Sequence, residues 1–171
     1  TYNKQAYVPD YDLTGAVIGD TVNAVLSASK DGVPVETIVD AGTYDIKVSL
    51  VDETGAPTGN YTFAADGLQV VVAPYEIIAR EINTTLFFNS GELGAAYYEG
   101  QMKYTVIDAD GTDITKDVTV TPDLIGLDND DAVETVDNRG GEYRASLTLE
   151  LPAGYDPDNY SVQPNVYNVY I

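Results

Sequence analysis

Apolar and polar residues alternate at period two along most of the chain, and no segment sustains the 3.6-residue apolar period of an amphipathic helix. The clearest run is Gly42-Thr43-Tyr44-Asp45-Ile46-Lys47-Val48-Ser49-Leu50, which puts Tyr44, Ile46, Val48 and Leu50 on one strand face. It returns 99 residues later as Gly141-Glu142-Tyr143-Arg144-Ala145-Ser146-Leu147-Thr148-Leu149, with Tyr143, Ala145, Leu147 and Leu149 in the same phase. The same spacing carries Asn60-Tyr61-Thr62-Phe63 onto Asn159-Tyr160-Ser161-Val162, and Leu68, Val70 and Val72 onto Tyr167, Val169 and Ile171. A spacing kept across three strands predicts an all-β chain made of a duplicated domain rather than a repeated short motif.

In chain order, the pattern predicts an aromatic edge strand within residues 1–11, ended by Pro9, and a strand over 21–27 with Val22, Ala24 and Leu26 inward. A turn at Lys30-Asp31-Gly32 leads to a short strand over 33–39 broken by Pro34. Beyond the repeated strand comes a polar loop over 52–60, then a hairpin of 61–65 and 68–72 around Asp66-Gly67. The proline of Ala73-Pro74-Tyr75-Glu76 marks the junction, giving domains 1–74 and 75–171. The amino-terminal parts align at a spacing of 80, Tyr7-Val8 on Phe87-Phe88, Leu13 on Leu93, and Val22, Ala24 and Leu26 on Met102, Tyr104 and Val106. The change from 80 to 99 assigns 19 additional residues to an insertion near 112–133, read as a longer connection or an added hairpin. Within it Lys116, Val118 and Val120 form a period-two run stopped by Pro122, and residues 124–131 have room for one helical turn.

Charge and missing residue types narrow the functional classes. The 171 residues carry 28 acidic and 8 basic side chains, a net charge of -20, which opposes binding to a phosphate backbone and argues against nucleic acid as a partner. No apolar run is long enough to cross a bilayer as a helix, so direct membrane insertion is not expected. Cysteine and histidine are absent, which removes disulfides, a Ser-His-Asp triad, a Cys-His dyad and the usual zinc sites. Glycoside chemistry would need two carboxylates about 5–10 Å apart across a cleft. Glu36 and Glu134 correspond in the repeat, and duplication of an acid speaks for a structural position rather than a domain-specific active site, so no catalytic residue is assigned.

Two groups of side chains are candidates for binding. Asp108, Asp110 and Asp113 in one turn, with Asp128, Asp130 and Asp131 in the insertion, offer the hard oxygen ligands that calcium prefers. The turn departs from an EF-hand loop, since Gly111 stands at the fourth position rather than the sixth, and solvated turns are the alternative reading. No cofactor is required on either reading. Tyr97, Tyr98 and Tyr170 could form an aromatic patch for a glycan or peptide, although Trp is absent. Asn60, Asn83 and Asn159 begin Asn-x-Ser/Thr sequons, two of them copies of one turn position. Lys47 and Lys103 are out of phase with the inward residues of their strands, so no intramolecular isopeptide bond is expected.

Gly42-x-Tyr44, the loop, Asn60-Tyr61-Thr62-Phe63 and the terminal Leu68-x-Val70-x-Val72 resemble the carboxy-terminal half of a module of the "mostly bacterial Ig-like" family. Leu13-Thr14-Gly15 with Gly19-Asp20-Thr21-Val22 resembles its amino-terminal half. The second unit retains Gly141-x-Tyr143 and Asn159-Tyr160 but lacks the Gly-Asp-Thr-Val run. The resemblance implies two tandem immunoglobulin-like β-sandwich domains with a spacer or adhesive role in a larger cell-surface or secreted bacterial protein. It brings no catalytic residues and implies an extracellular location. The implied partners are adjacent modules of the same parent chain and an extracellular glycan or protein. The start at Thr1 and the end on the strand residue Ile171 are expected for a segment of a longer chain.

Overall fold

The computed structural model describes residues 1–89, 94–127, 131–136, 140–163 and 165–171. Among the described residues the chain is all-β apart from one short helix, and it divides into two compact units, Thr1–Pro74 and Tyr75–Ile171.

The first unit is built on β1 (Asn23–Lys30), β2 (Val33–Val35), β3 (Gly42–Val51) and β4 (Gln69–Val72), an antiparallel sheet in the order β2-β1-β3-β4. Lys30 pairs with Val33 around Asp31 and Gly32, both at positive φ (52° and 79°), the two-residue turn whose twist matches flanking strands. Alternation along β3 follows its sequence: Tyr44 is buried, Ile46, Val48 and Leu50 are half-buried, and the residues between them are exposed. Ile38, Tyr44 and Val72 form the core, packed against by Tyr2, Ala28, Val35, Ile46 and Val70.

Two strands expected here are not formed. Residues 1–11 make one bridge, Tyr7 to Ile38, and residues 61–65 are irregular, with Phe63 exposed. Pro9 and Asp10 on one segment, and Ala64 and Ala65 on the other, are poor strand formers. The first unit therefore has one sheet, with these irregular segments lying over its apolar face.

The second unit contains β5 (Tyr75–Ile77), β6 (Ala79–Arg80), α1 (Ala95–Glu99), β7 (Thr105–Val106), β8 (Thr119–Ile125), β9 (Glu142–Glu150), β10 (Tyr160–Val162) and β11 (Asn165–Tyr170). Strands β11-β9-β8 form an antiparallel sheet, β10 pairs with β5 in parallel, and β6 pairs with β7. Ile77, Tyr98, Val106, Leu124, Leu147 and Val169 fill the interior. Ala95 and Tyr98, three positions apart on α1, are its buried residues, and a five-residue helix is too short to show a period in the sequence.

The two units share one frame. Tyr44 pairs with Val70 and Tyr143 with Val169, while Gly42 stands opposite Val72 and Gly141 exchanges two hydrogen bonds with Ile171 (3.0 and 2.9 Å). Gly42 and Gly141 have φ of 143° and 153°, a region that favours glycine. On the other side of the central strand the expected alignment fails. Val48 pairs with Leu26, but its counterpart Leu147 pairs with Pro122 on β8, not with a residue of 102–106. Thr105 and Val106 pair with β6 instead. Residues 119–125 are thus a strand of the central sheet rather than an inserted hairpin, and the additional length of the second unit precedes them. Val118 and Leu124 supply deep apolar anchors, and Pro122 is accommodated because β8 is an edge strand of its sheet. The helical turn expected within 124–131 begins instead as strand, at Leu124 and Ile125.

Candidate functional site

Asp108 follows β7 and opens a reverse turn, closed by Gly111 N–H on its carbonyl (2.9 Å) and by its own N–H on the Thr112 carbonyl (2.8 Å). Gly111 takes φ 86° there. The side chain points inward and is 1% exposed. Its Oδ2 accepts from the Tyr155 hydroxyl (2.8 Å), and its Oδ1 accepts from the Tyr160 hydroxyl (2.9 Å) and the Ala109 N–H. The two tyrosine rings pack 4.9 Å apart, so the carboxyl group and both hydroxyls form one small polar cluster. Asp108, one of the candidate calcium ligands, is thus turned inward, with its carboxyl oxygens engaged by tyrosines from distant sequence.

The neighbouring acids close their own turns. Asp110 Oδ1 accepts the Thr112 N–H (3.0 Å), and Asp113 Oδ1 accepts both the hydroxyl (2.6 Å) and the N–H (2.9 Å) of Thr115. The Thr115 hydroxyl, more than its N–H or Lys116, holds the Asp113 carboxyl below the usual carboxylate range. Asp52 repeats the device with the Thr54 hydroxyl and N–H and the Ala56 N–H, and is lowered for the same reason. Asp131 is exposed and uses its carbonyl on Gly126 N–H (3.2 Å). Asp128 and Asp130 lie outside the described residues. Among the described residues no three acidic side chains converge as a metal site.

The three candidate tyrosines differ in placement. Tyr98 is 0% exposed, and its hydroxyl donates to the Asn89 carbonyl (3.3 Å), so it belongs to the core and offers no ligand-facing ring. Helical position decides this: Tyr98 lies on the buried face of α1, and Tyr97 packs edge-on against it with ring centroids 5.2 Å apart. Tyr97 and Tyr170 are 41% and 51% exposed. Tyr170 hydrogen-bonds Glu142, which raises its hydroxyl pKa. Among the sequon residues, Asn159 is buried, Asn83 bonds the Gln101 carbonyl (3.2 Å) and the Lys103 N–H, and Asn60 is exposed. Tyr155 carried no signal in the sequence reading. Tyr160 had one, its place in the repeat, but that identified a strand start rather than a partner for Asp108.

Two of the clefts beside the first unit's sheet differ in polarity. One of about 440 Å³ is lined by Asp20, Asp52, Glu53, Asn60 and Tyr61. The Tyr61 hydroxyl donates to Asp20 (2.5 Å) and accepts the Val17 N–H (3.2 Å), tying one wall together. The Asp20 hydrogen bond pushes the Tyr61 hydroxyl pKa up. The other, about 240 Å³, is apolar and lies between the sheet's inner face, at Leu26 and Val48, and Tyr11, Leu13, Phe63 and Leu68. Glu36 and Glu134, the duplicated acids, are both exposed. No family model matches the chain, and no curated protein or solved structure matches it.

Proposed function

We propose that the chain is a non-catalytic spacer or adhesive stretch of a larger bacterial cell-surface or secreted protein. On this reading it consists of two immunoglobulin-like units related by duplication, with neighbouring modules of the same parent chain as its partners. The observation that carries the reading is the shared frame of the two units: the same strand register, set 99 residues apart, opening on glycine at φ 143° and 153°. Selection for a repeated scaffold preserves this frame, whereas a catalytic constellation would require unlike residues in one copy. The acids Asp52, Asp110 and Asp113 are engaged in closing turns, which suits a scaffold. The net charge of -20 keeps such a stretch soluble and apart from its copies.

A second reading, glycan or peptide binding through exposed rings, keeps Tyr97 and Tyr170 and loses Tyr98. Screening the whole chain on arrayed glycans and on a panel of chromogenic glycosides separates the readings. The spacer reading expects no saturable glycan binding and no turnover. Saturable binding lost on Tyr170→Ala moves the assignment to the second reading, and turnover of any glycoside sinks both.

A further inference from the structure

The outer edge of β4 carries backbone groups that its sheet leaves open. Ile46 N–H donates to the Leu68 carbonyl (2.8 Å), which sets the ladder phase so that Gly42, Tyr44 and Ile46 face β4 and exchange its inward bonds. The N–H and C=O groups of Gln69 and Val71, between those positions, therefore point away from β3. The Ala73 carbonyl, in the same phase, accepts the Tyr2 N–H (2.7 Å), but among the described residues Gln69 and Val71 make no backbone hydrogen bond on that side. Val71 is 68% exposed. Between this edge and residues 1–7 runs a trench of about 310 Å³, lined by Asn3, Gln5, Tyr7, Gln69 and Val71.

The second unit shows what such an edge takes. Tyr170 is the counterpart of Val71, and its N–H donates to the Thr84 carbonyl (2.8 Å) while its carbonyl accepts the Leu86 N–H (2.8 Å). Thr85 thus pairs with Tyr170 in parallel, and Leu86 is buried at 3% exposure. One short extended segment, polar at one position and apolar at the next, pairs with that edge at Tyr170. The same edge in the first unit stands without it.

We propose that the β4 edge accepts an extended segment of a partner protein as an added parallel strand, bonded through Gln69 and Val71 and carrying basic side chains. Parallel direction follows from the Thr84–Leu86 pairing. The basic character follows from charge: residues 1–74 hold ten carboxylates against Lys4, Lys30 and Lys47, which attracts a cationic segment and repels a second copy of net charge -20. The site depends on the edge geometry alone and stands whether or not the chain is a spacer.

The test is amide hydrogen exchange on the whole chain with a synthetic peptide of residues 82–88 followed by two added lysines. Saturating peptide should slow exchange at Val71 by about tenfold and leave Tyr170 unchanged, since that edge is filled. Methylating the peptide nitrogen that stands for Leu86 N–H removes the donor to the Val71 carbonyl and should weaken binding about tenfold without altering the protein. Glutamates in place of the two lysines should weaken it as well. Unchanged Val71 exchange at millimolar peptide, or equal binding by the N-methylated peptide, overturns the site. Equal binding by the glutamate peptide overturns its basic preference. Val71 protection that grows with protein concentration in the absence of peptide assigns the edge to a second copy and overturns the partner.

Discussion

Asp108 shows how far one side chain's role depends on residues remote in sequence. Asp at a turn is unremarkable for its local bonding, and Asp110 and Asp113 behave that way, each capping the backbone two residues on. Asp108 opens the same turn, yet its carboxyl group is enclosed by Tyr155 and Tyr160. Removing the Asp108 carboxyl takes a shared acceptor from both hydroxyls at once, whereas removing one hydroxyl leaves the other bond in place. Asp108→Ala is therefore expected to lower the stability of the second unit by about 2–4 kcal/mol, and Tyr155→Phe by about 1–2 kcal/mol. Urea midpoints for the two variants check this, and equal losses would contradict the arrangement. The turn chemistry of these acids was legible because Asp-x-Thr and Asp-Gly spacings act locally. The burial of one among them was not, because a partner 47 or 52 residues away leaves no local pattern.

At the scale of elements, the long central strands β3 and β9 are organised by their own alternation, and their ends by glycine. Gly140, at φ 72°, sits where an added Cβ would run into the carbonyl oxygen of Ile171, the residue that closes β11 onto Gly141. At Gly141 the nearest atom to an added Cβ is a Tyr143 ring carbon at 3.6 Å, ordinary contact. Gly140→Ala should accordingly cost about 2–4 kcal/mol from backbone strain and steric conflict together, and Gly141→Ala about 1–2 kcal/mol from strain alone. Thermal melts of the two variants rank them. Strand choice beside β9 was less legible. Residues 102–106 and 118–124 both alternate and both reach the core, at Met102 and Val106 and at Val118 and Leu124, so the choice rested on the longer ladder that Thr119–Ile125 makes with β9. Helix α1 was invisible for the related reason that five residues bury only Ala95 and Tyr98.

Across the whole molecule the two units differ in how much apolar surface they enclose. Among the described residues, the buried apolar side chains of the first unit are Ile38, Ala41, Tyr44 and Val72, while the second buries Ile77, Val106, Leu124, Leu147, Val169 and others across three sheets. A small unit with a thin core opens at lower free energy. Urea unfolding followed by residue-resolved exchange is expected to show two transitions, with β1–β4 amides lost at the lower denaturant concentration; one cooperative transition would contradict this. Period-two alternation by itself determined the all-β class and the inward faces of β3, β9 and β11, because each follows from neighbours two residues apart, and the 99-residue repeat carried the register common to both units. Tertiary structure alone decided which strand flanks β9, that residues 61–65 stay irregular, that Tyr98 turns inward, and that Asp108 is enclosed by tyrosines. Those outcomes depend on which surfaces meet, and long-range packing selects among segments whose local preferences are alike.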